Sequence, residues 1–291
     1  MASFNRIGLV ARVASDQVRE SLLTVEQFLF SKGVEIVVEQ VSAAALGGNN
    51  RAISSLEEMG ASCDLLIAVG GDGNILSTAR VMAPFGVPIL GINRGKLGFL
   101  ADVSPDEIEA RLGEVLSGDY TTEEHFLLEG EVEGHDEVPC ALNEILIHSV
   151  NMPKMIEVEL YVNDQFVYTL NSDGLIVSSP TGSTAYALSA GGPIMHPSLD
   201  AIVLVPMFPH SLNNRPLVVP GGDEIRVVIG SDTQMKAKVS FDSHLEFQIE
   251  PGDSLLIRKK PEHLVLVHPP GHSFYGACKS KLDWASRNTN R

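Results

Sequence analysis

Residues 65–74 read LLIAVGGDGN, five apolar residues in succession and then an acid set among glycines. An unbroken apolar run of this length reads as a strand buried on both faces, and such strands belong to parallel sheets covered by helices. Its neighbours agree. RIGLVARV is a short buried strand, followed by a helical pattern over SDQVRESLLTVEQFLFSKG with a Ser15/Asp16 start and Gly33 as its stop. VEIVVEQ predicts a second strand, RAISSLEEMG a short helix ending at Gly60, NILSTARVMAPFG a helix and VPILGIN a fourth strand. SPDEIEARLGEVLSGDY predicts a helix with Ser104 as N-cap and Pro105 at its first position. Strand and helix in alternation imply an α/β domain with a parallel, doubly wound sheet over residues 1–120.

Beyond Tyr120 the pattern changes to short alternating runs: FLLEGEVEG, ALNEILIHSV, KMIEVELYVNDQFVYTL, GLIVSS, AIVLVP, EIRVVIG, AKVSF, LEFQIE and SLLIRKK. Turn residues such as Asn163-Asp164 and Pro251-Gly252 separate them, so residues 121–268 are expected to form a β-rich, antiparallel, sandwich-like domain. The polar tail 269–291, with the only tryptophan, Trp284, either packs back on the first domain or frays.

With 21 Lys and Arg against 37 Asp and Glu the chain carries −16, which excludes a partner held by neutralising many phosphates, so no nucleic acid is expected. Cys63, Cys140 and Cys278 are far apart and form no CxxC, as expected of reduced cytosolic thiols. No apolar run approaches the roughly eighteen residues of a membrane span, and MASFNRIGLVARV lacks the layout of a secretory leader. A cytoplasmic protein without membrane contact is expected.

The edge where a parallel strand ends is where open α/β sheets bind ligands, and GGDGN stands there before a helix. Gly70, Gly71 and Gly73 let backbone N–H groups approach phosphate oxygens at a helix N-terminus. Neither common phosphate fingerprint is present: Leu76 occupies the place of the third dinucleotide-loop glycine, and GINRGK is one residue short of P-loop spacing. Two readings of Asp72 stay open, a cap on the following helix or a general base on a substrate hydroxyl.

The segment NSDGLIVSSPTGSTAYALSAGGPI, residues 171–194, is crowded with glycines and hydroxyls around Asp173, Thr184 and Tyr186 and can wrap a polar ligand. Its alternative is a turn-rich corner of a sandwich. Ser183 is not framed as Gly-x-Ser-x-Gly, which argues against a hydrolase. Asn143 and Glu144 adjoin in an alternating segment; they can reach one ligand only where the strand bends or ends, and by themselves read as a solvated pair. The nine histidines show no metal-site spacing; His148, His196 and His210 read as local hydrogen-bonding groups and His244 as structural.

GGDGN, GINRGKLGFL, LNEILIH, SDGLIVSSPTGSTAYALSAGGPI, LDAIVLVPMFPHSL and SFDSH occur in this order, and through them the chain resembles the bacterial NAD kinases over nearly its whole length. The Gly-Asp-Gly loop is shared with phosphofructokinases and diacylglycerol kinases; the segment 172–194 makes the resemblance specific. The resemblance implies an N-terminal α/β domain, a β-rich C-terminal domain, a site between them, and a homodimer or homotetramer. It implies ATP as phosphoryl donor, a divalent cation such as Mg²⁺, and NAD phosphorylated on its adenosine ribose 2′-hydroxyl. By the same resemblance Asp72 accepts the hydroxyl proton, while Gly70, Gly71, Gly73 and Asn74 hold the phosphates. Asn143 and Glu144 hold adenine-side or ribose groups, and Asp173, Thr184, Ala185, Tyr186, Ala187, Leu188 and Ser189 line the dinucleotide pocket. Lys154 and His244 stand at matching contact positions, His244 where glutamine is common. Asn171 stands where several relatives carry arginine, so an amide contact replaces a charged one there.

Overall fold

A computed structural model describes residues 4–12, 15–47, 51–94, 98–150, 155–231, 236–282 and 284. The chain divides into two units, Met1–Glu124 with Leu264–Arg291, and His125–His263, against the expected divisions at 120 and 268.

The first unit runs β1 (Arg6–Val10), α1 (Asp16–Ser31), β2 (Glu35–Glu39), α2 (Gln40–Leu46), β3 (Ala52–Ser54), α3 (Leu56–Ser62), β4 (Leu65–Gly70), α4 (Asp72–Met82), β5 (Ile89–Asn93) and α5 (Ile108–Ser117). The strands pair in parallel in the order β3-β2-β1-β4-β5, and the segment ending at His268 lies beside β5 through Leu266↔Ile89. Helices cover both faces. Ile7, Leu9, Leu65, Ile67, Val69, Leu90 and Ile92 form one core with Val18, Leu22, Val25 and Leu29 of α1 and Ile108, Leu112 and Val115 of α5. On the opposite face of β1 the missing Cβ of Gly8 leaves room for Met59 of α3. This double burial is why these strands read as continuous apolar runs.

Local signals set the helix ends. Ser15 caps α1 by accepting the N–H of Val18, and Gly33 follows the helix with φ 73°. The expected helix over 51–60 is instead β3 followed by α3, because Ser55 forms a capping box with Glu58 and starts the helix late. The α2 helix was not expected: Glu39 at the end of β2 accepts the N–H groups of Val41 and Ser42 and turns strand directly into helix. Ser104 caps in no ordinary way, since its hydroxyl donates to the Glu107 carboxylate at 2.9 Å and residues 105–107 form a 3₁₀ turn before α5.

The second unit carries β6 (Thr121–Val132), β7 (Cys140–Ala141), β8 (Glu144–Ser149), β9 (Ile156–Val162), β10 (Gln165–Ser172), β11 (Gly174–Ser178), α6 (Tyr186–Ser189), β12 (Ala201–Met207), β13 (Leu217–Pro220), β14 (Ile225–Ile229), β15 (Ala237–Phe241), β16 (Leu245–Ile249) and β17 (Ser254–His268), whose last residues belong to the first unit. One antiparallel sheet has the order β13-β12-β11-β8-β15-β16, and β10-β9-β14-β17 pair in a second. Ile145, Ile147, Leu175, Val177, Leu204, Val239 and Phe241 of the first pack with Val158, Leu160, Ile225, Val227, Leu255 and Ile257 of the second. The back of β11 is covered as well, Ile176 packing with Ala187, Val203 and Val205. The long hairpin β9-β10 turns at Asn163 and Asp164, both in the left-handed region at φ 48° and 60°. Among the described residues no helix is long and apolar enough to cross a membrane.

The last helix, α7 (Phe274–Lys281), is attached through a polar cluster in the first unit. The rings of His268 and His272 stack with centroids 3.7 Å apart. His268 Nδ1 and His272 Nδ1 both bond Asp102 Oδ2, the latter at 2.6 Å, and His272 Nε2 faces Glu123 Oε2 at 3.5 Å. Burial works to raise the Asp102 carboxyl, but hydrogen bonds from the two imidazoles hold it well below the usual carboxylate range. The bonds to Asp102 and Glu123 outweigh burial at His272 and raise it from 6.5 to about 9. A histidine raised in the folded state gives stability that is complete below its ordinary value and lost as pH rises through the folded one. His272→Ala is therefore expected to destabilise the protein by roughly 2 kcal/mol at pH 6–7. The difference in melting temperature between parent and variant should shrink as the pH passes about 9.

Candidate active site

In the first unit β4 ends at Gly70, whose φ of 152° is open to glycine and little else. Gly71 precedes α4 without any side-chain cap; the Asn74 N–H donates to Gly71 O at 3.0 Å, which leaves the N–H groups of Asp72 and Gly73 for an outside acceptor. A Cβ on Gly71 or Gly73 would meet nothing within 4 Å. Neither protein packing nor backbone strain requires glycine at these two positions.

Asp72 opens α4 but does not cap it. Its Oδ2 accepts the N–H of Phe99 at 2.6 Å and its Oδ1 that of Leu100 at 3.2 Å. The segment carrying these donors is laid against β5: Val103 N–H donates to Gly91 O, Asn93 N–H to Val103 O, and a Cβ on Gly91 would stand 2.8 Å from Ala101 Cα. Gly98 is equally confined, since its Cβ would lie 1.8 Å from Asp72 Oδ1. Sequence reasoning quoted both glycines within motifs and gave them no role. Asn74, expected to hold phosphate, turns inward instead: it is buried, and its Nδ2 donates to Val10 O at 3.1 Å and Val69 O at 3.2 Å, tying β1 to β4.

In the second unit a second aspartate does the converse. Asp242 lies in the β15-β16 turn at φ 49°, followed by Ser243 at 53°. Its carboxylate accepts the N–H groups of Leu142 and Asn143 at 2.8 Å each and of Glu144 at 3.2 Å. These bonds break the expected strand 141–150 into β7 and β8, which satisfies the condition under which Asn143 and Glu144 can serve one ligand. The loop after β11 closes on the break: Ser179 N–H donates to Asn143 O at 2.9 Å, and a Cβ on Gly182 would stand 2.1 Å from that oxygen.

Glu144 is buried, accepts the N–H of Tyr186, and leaves Oε2 without a hydrogen-bond partner. Burial, reinforced by the negative charge of Asp242, raises its carboxyl to about 8. The group is protonated at neutral pH and can donate as well as accept.

Thus Asn143, Glu144, Thr184, Ala185 and Tyr186 come together, with His244 on the Asp242 turn. Leu188 is half-buried and Ser189 exposed on α6. Ala187 is a correction: its side chain is fully buried behind β11 and lines nothing. Asn171 and Asp173 are not brought to Glu144 within the chain. Asp173 precedes β11, whose far end, Ser178, pairs with Glu144, so the length of the strand, about 17 Å, intervenes. Asn171 is exposed, with Nδ2 3.4 Å from Glu157 Oε2. Lys154 lies outside the described residues. Asp102, His268 and His272 bring ligand atoms within 4.8 Å of one another, but a metal lies in the plane of each imidazole that binds it, and rings stacked at 17° share no such point.

An acid raised in the folded state makes stability fall from its ordinary value up to the raised one. Between pH 5 and pH 8.5 the ligand-free parent should lose about 3–4 kcal/mol that Glu144→Gln keeps. Melting temperatures of the two measured across that range check this.

A model of the ATP-NAD kinase N-terminal domain matches residues 7–120, and one of the ATP-NAD kinase C-terminal domain matches 142–269. The NAD kinase of Hahella chejuensis is 50% identical over 289 residues, covering 98% of each chain. That of Teredinibacter turnerae is 49% identical over 293 residues, covering 100% of both. Among solved structures, yeast NADH kinase complexed with NADH superposes with a TM-score of 0.89 at 26% identity, covering 100% of this chain and 91% of that one. An NAD kinase from Archaeoglobus fulgidus in complex with ATP gives 0.74 at 28% identity, covering 94% and 99%. An uncapped glycine loop with a carboxylate turned off its helix, and a buried glutamate at a broken strand, thus occur in a chain that belongs to the NAD kinase family.

Proposed function

We propose that the chain transfers the terminal phosphoryl group of ATP to the 2′-hydroxyl of the adenosine ribose of NAD, giving NADP and ADP, with Asp72 as general base. The observation that carries this reading is the carboxylate of Asp72, held by the N–H groups of Phe99 and Leu100 beside an uncapped helix start. Phosphoryl transfer needs positioning and charge stabilisation. The N–H groups at Gly71–Gly73 and the start of α4 receive phosphate oxygens, and Asp72 takes the proton from the attacking hydroxyl. Glu144, with its unpartnered Oε2, and Asn143 hold the adenosine end of NAD.

The donors at the glycine loop are N–H groups, and Asp72 is its one carboxylate. That set suits a divalent cation carried chiefly by the ATP phosphates and touching at most Asp72, as Mg²⁺ usually is. Such an ion supplies neutralisation of the phosphate charge. The separation of Asn171 and Asp173 from Glu144 supports a homodimer or homotetramer, in which those residues of one copy complete the pocket of another. The free thiols of Cys63, Cys140 and Cys278 are in keeping with a reducing cytoplasm.

Asp72→Asn is expected to lower kcat by about two to four orders of magnitude with NAD affinity retained. NADP formation from ATP, Mg²⁺ and NAD, read with an NADP-specific dehydrogenase, tests it; unchanged turnover removes the base. Gly98→Ala should displace the Asp72 carboxylate, the flexible partner in the clash. It is expected to cost about 100-fold in kcat while the melting temperature moves little.

A further inference from the structure

Phe99 supplies the N–H that holds Asp72 Oδ2, and its ring makes a second contact: the Nζ of Lys281 stands over it, 4.0 Å from the centroid. Lys281 is the last residue of α7 and is half-buried. Among the described residues no carboxylate lies within salt-bridge distance of its ammonium. Burial lowers the ammonium from its ordinary value, while the charges of Asp72 and Asp102 act in the opposite sense, which places both carboxylates within its field. Lys281 and Gly98 also line one cavity of about 250 Å³ together with Asp102, Arg111 and His272.

A partly desolvated cation without an ion pair is unfavourable unless something nearby uses its charge. Here the cation–π contact holds the ring of the residue whose backbone holds Asp72. The same short segment is gripped again at Asp102, where His268 and His272 attach the chain just before α7. The residues Gly98–Asp102 are therefore fixed from three directions: by Asp72, by Lys281 and by the imidazole pair.

We propose that Lys281 is a positioning residue for Asp72, holding the Phe99 segment so that the carboxylate is presented to the nucleophile, and favouring that orientation through its charge. The C-terminal helix is then part of the catalytic apparatus. This rests on Asp72 being the base. Lys281 acts through Phe99 and Asp72 and touches no substrate in this role.

The test is steady-state kinetics of the full-length chain carrying Lys281→Met, Lys281→Arg or Phe99→Leu, with Lys281→Met also placed in the Asp72→Asn background. Lys281→Met is expected to lower kcat about 10- to 100-fold while KM for ATP and for NAD stays within about threefold. Lys281→Arg should recover most of kcat, since it keeps the charge over the ring. Phe99→Leu, which keeps the N–H and removes the ring, should reproduce the loss, and it serves as the test should Lys281→Met fail to fold. In the Asp72→Asn background Lys281→Met should change the residual turnover less than about threefold, because the group it acts through is gone. An unchanged kcat in the parent background, a loss confined to KM for ATP, or an equal loss in both backgrounds would each overturn the proposal. Failure of the underlying reading is separate and visible in Asp72→Asn alone, as full turnover.

Discussion

A carboxylate held by two backbone N–H groups organises the first unit. Asp72 could have capped its own helix; instead it bonds Phe99 and Leu100. That choice depends on β5, because Val103 pairs across Gly91 and brings the intervening segment back to the start of α4. It depends also on Gly98, where any side chain would occupy the place of the carboxylate. With Asp72 turned aside, the N-terminus of α4 stays uncapped and keeps its capacity for an anion. The fold thereby places an acid beside an uncapped helix start without letting the acid fill it.

The second unit uses the same bond in the reverse sense. Asp242 is held by its turn, and its carboxylate fixes the backbone of residues 142–144, ending one strand and starting the next. The consequence falls on Glu144, buried beside a fixed negative charge and raised to about 8. Ligand-free, this arrangement is unfavourable and leaves a buried oxygen unpartnered. A ligand hydroxyl or amine would satisfy it, so a cost that the ligand-free chain carries in folding is relieved on binding.

Elements whose causes are local were legible in the sequence. The apolar run of β4 and the glycines after it gave a buried parallel strand with a turn at its end, and Ser15 and Gly33 bounded α1. The Glu39 cap that starts α2 and the delayed start of α3 at Ser55 were legible in principle, but short helices beside strands compete closely with them. The break at Leu142–Asn143 was not legible, because the residue that makes it, Asp242, lies about a hundred positions later and only the fold joins them. Gly98 and Gly182 failed for the same reason: a glycine required by what approaches it looks like any other until the approaching group is known. Ala187 erred in the other direction. Residues taken together as pocket lining point in successive directions around a short helix, and one of them faces the core.

The overall charge of −16 would oppose the binding of ATP and NAD if recognition rested on long-range attraction. The groups the structure presents are short-range and oriented: uncapped N–H donors at α4, a protonated carboxyl at Glu144, and an ammonium set over Phe99 near Asp72. Fixed dipoles and a neutral acid lose little to salt screening, while the surface acids that make up the net charge are screened within about 8–10 Å at physiological ionic strength. A net charge carried by surface acids is therefore compatible with such groups each receiving a polar or anionic ligand atom. Burial, which weakens the Lys281 ammonium as a free ion, also removes the water that would otherwise attenuate its field at the Asp72 carboxylate.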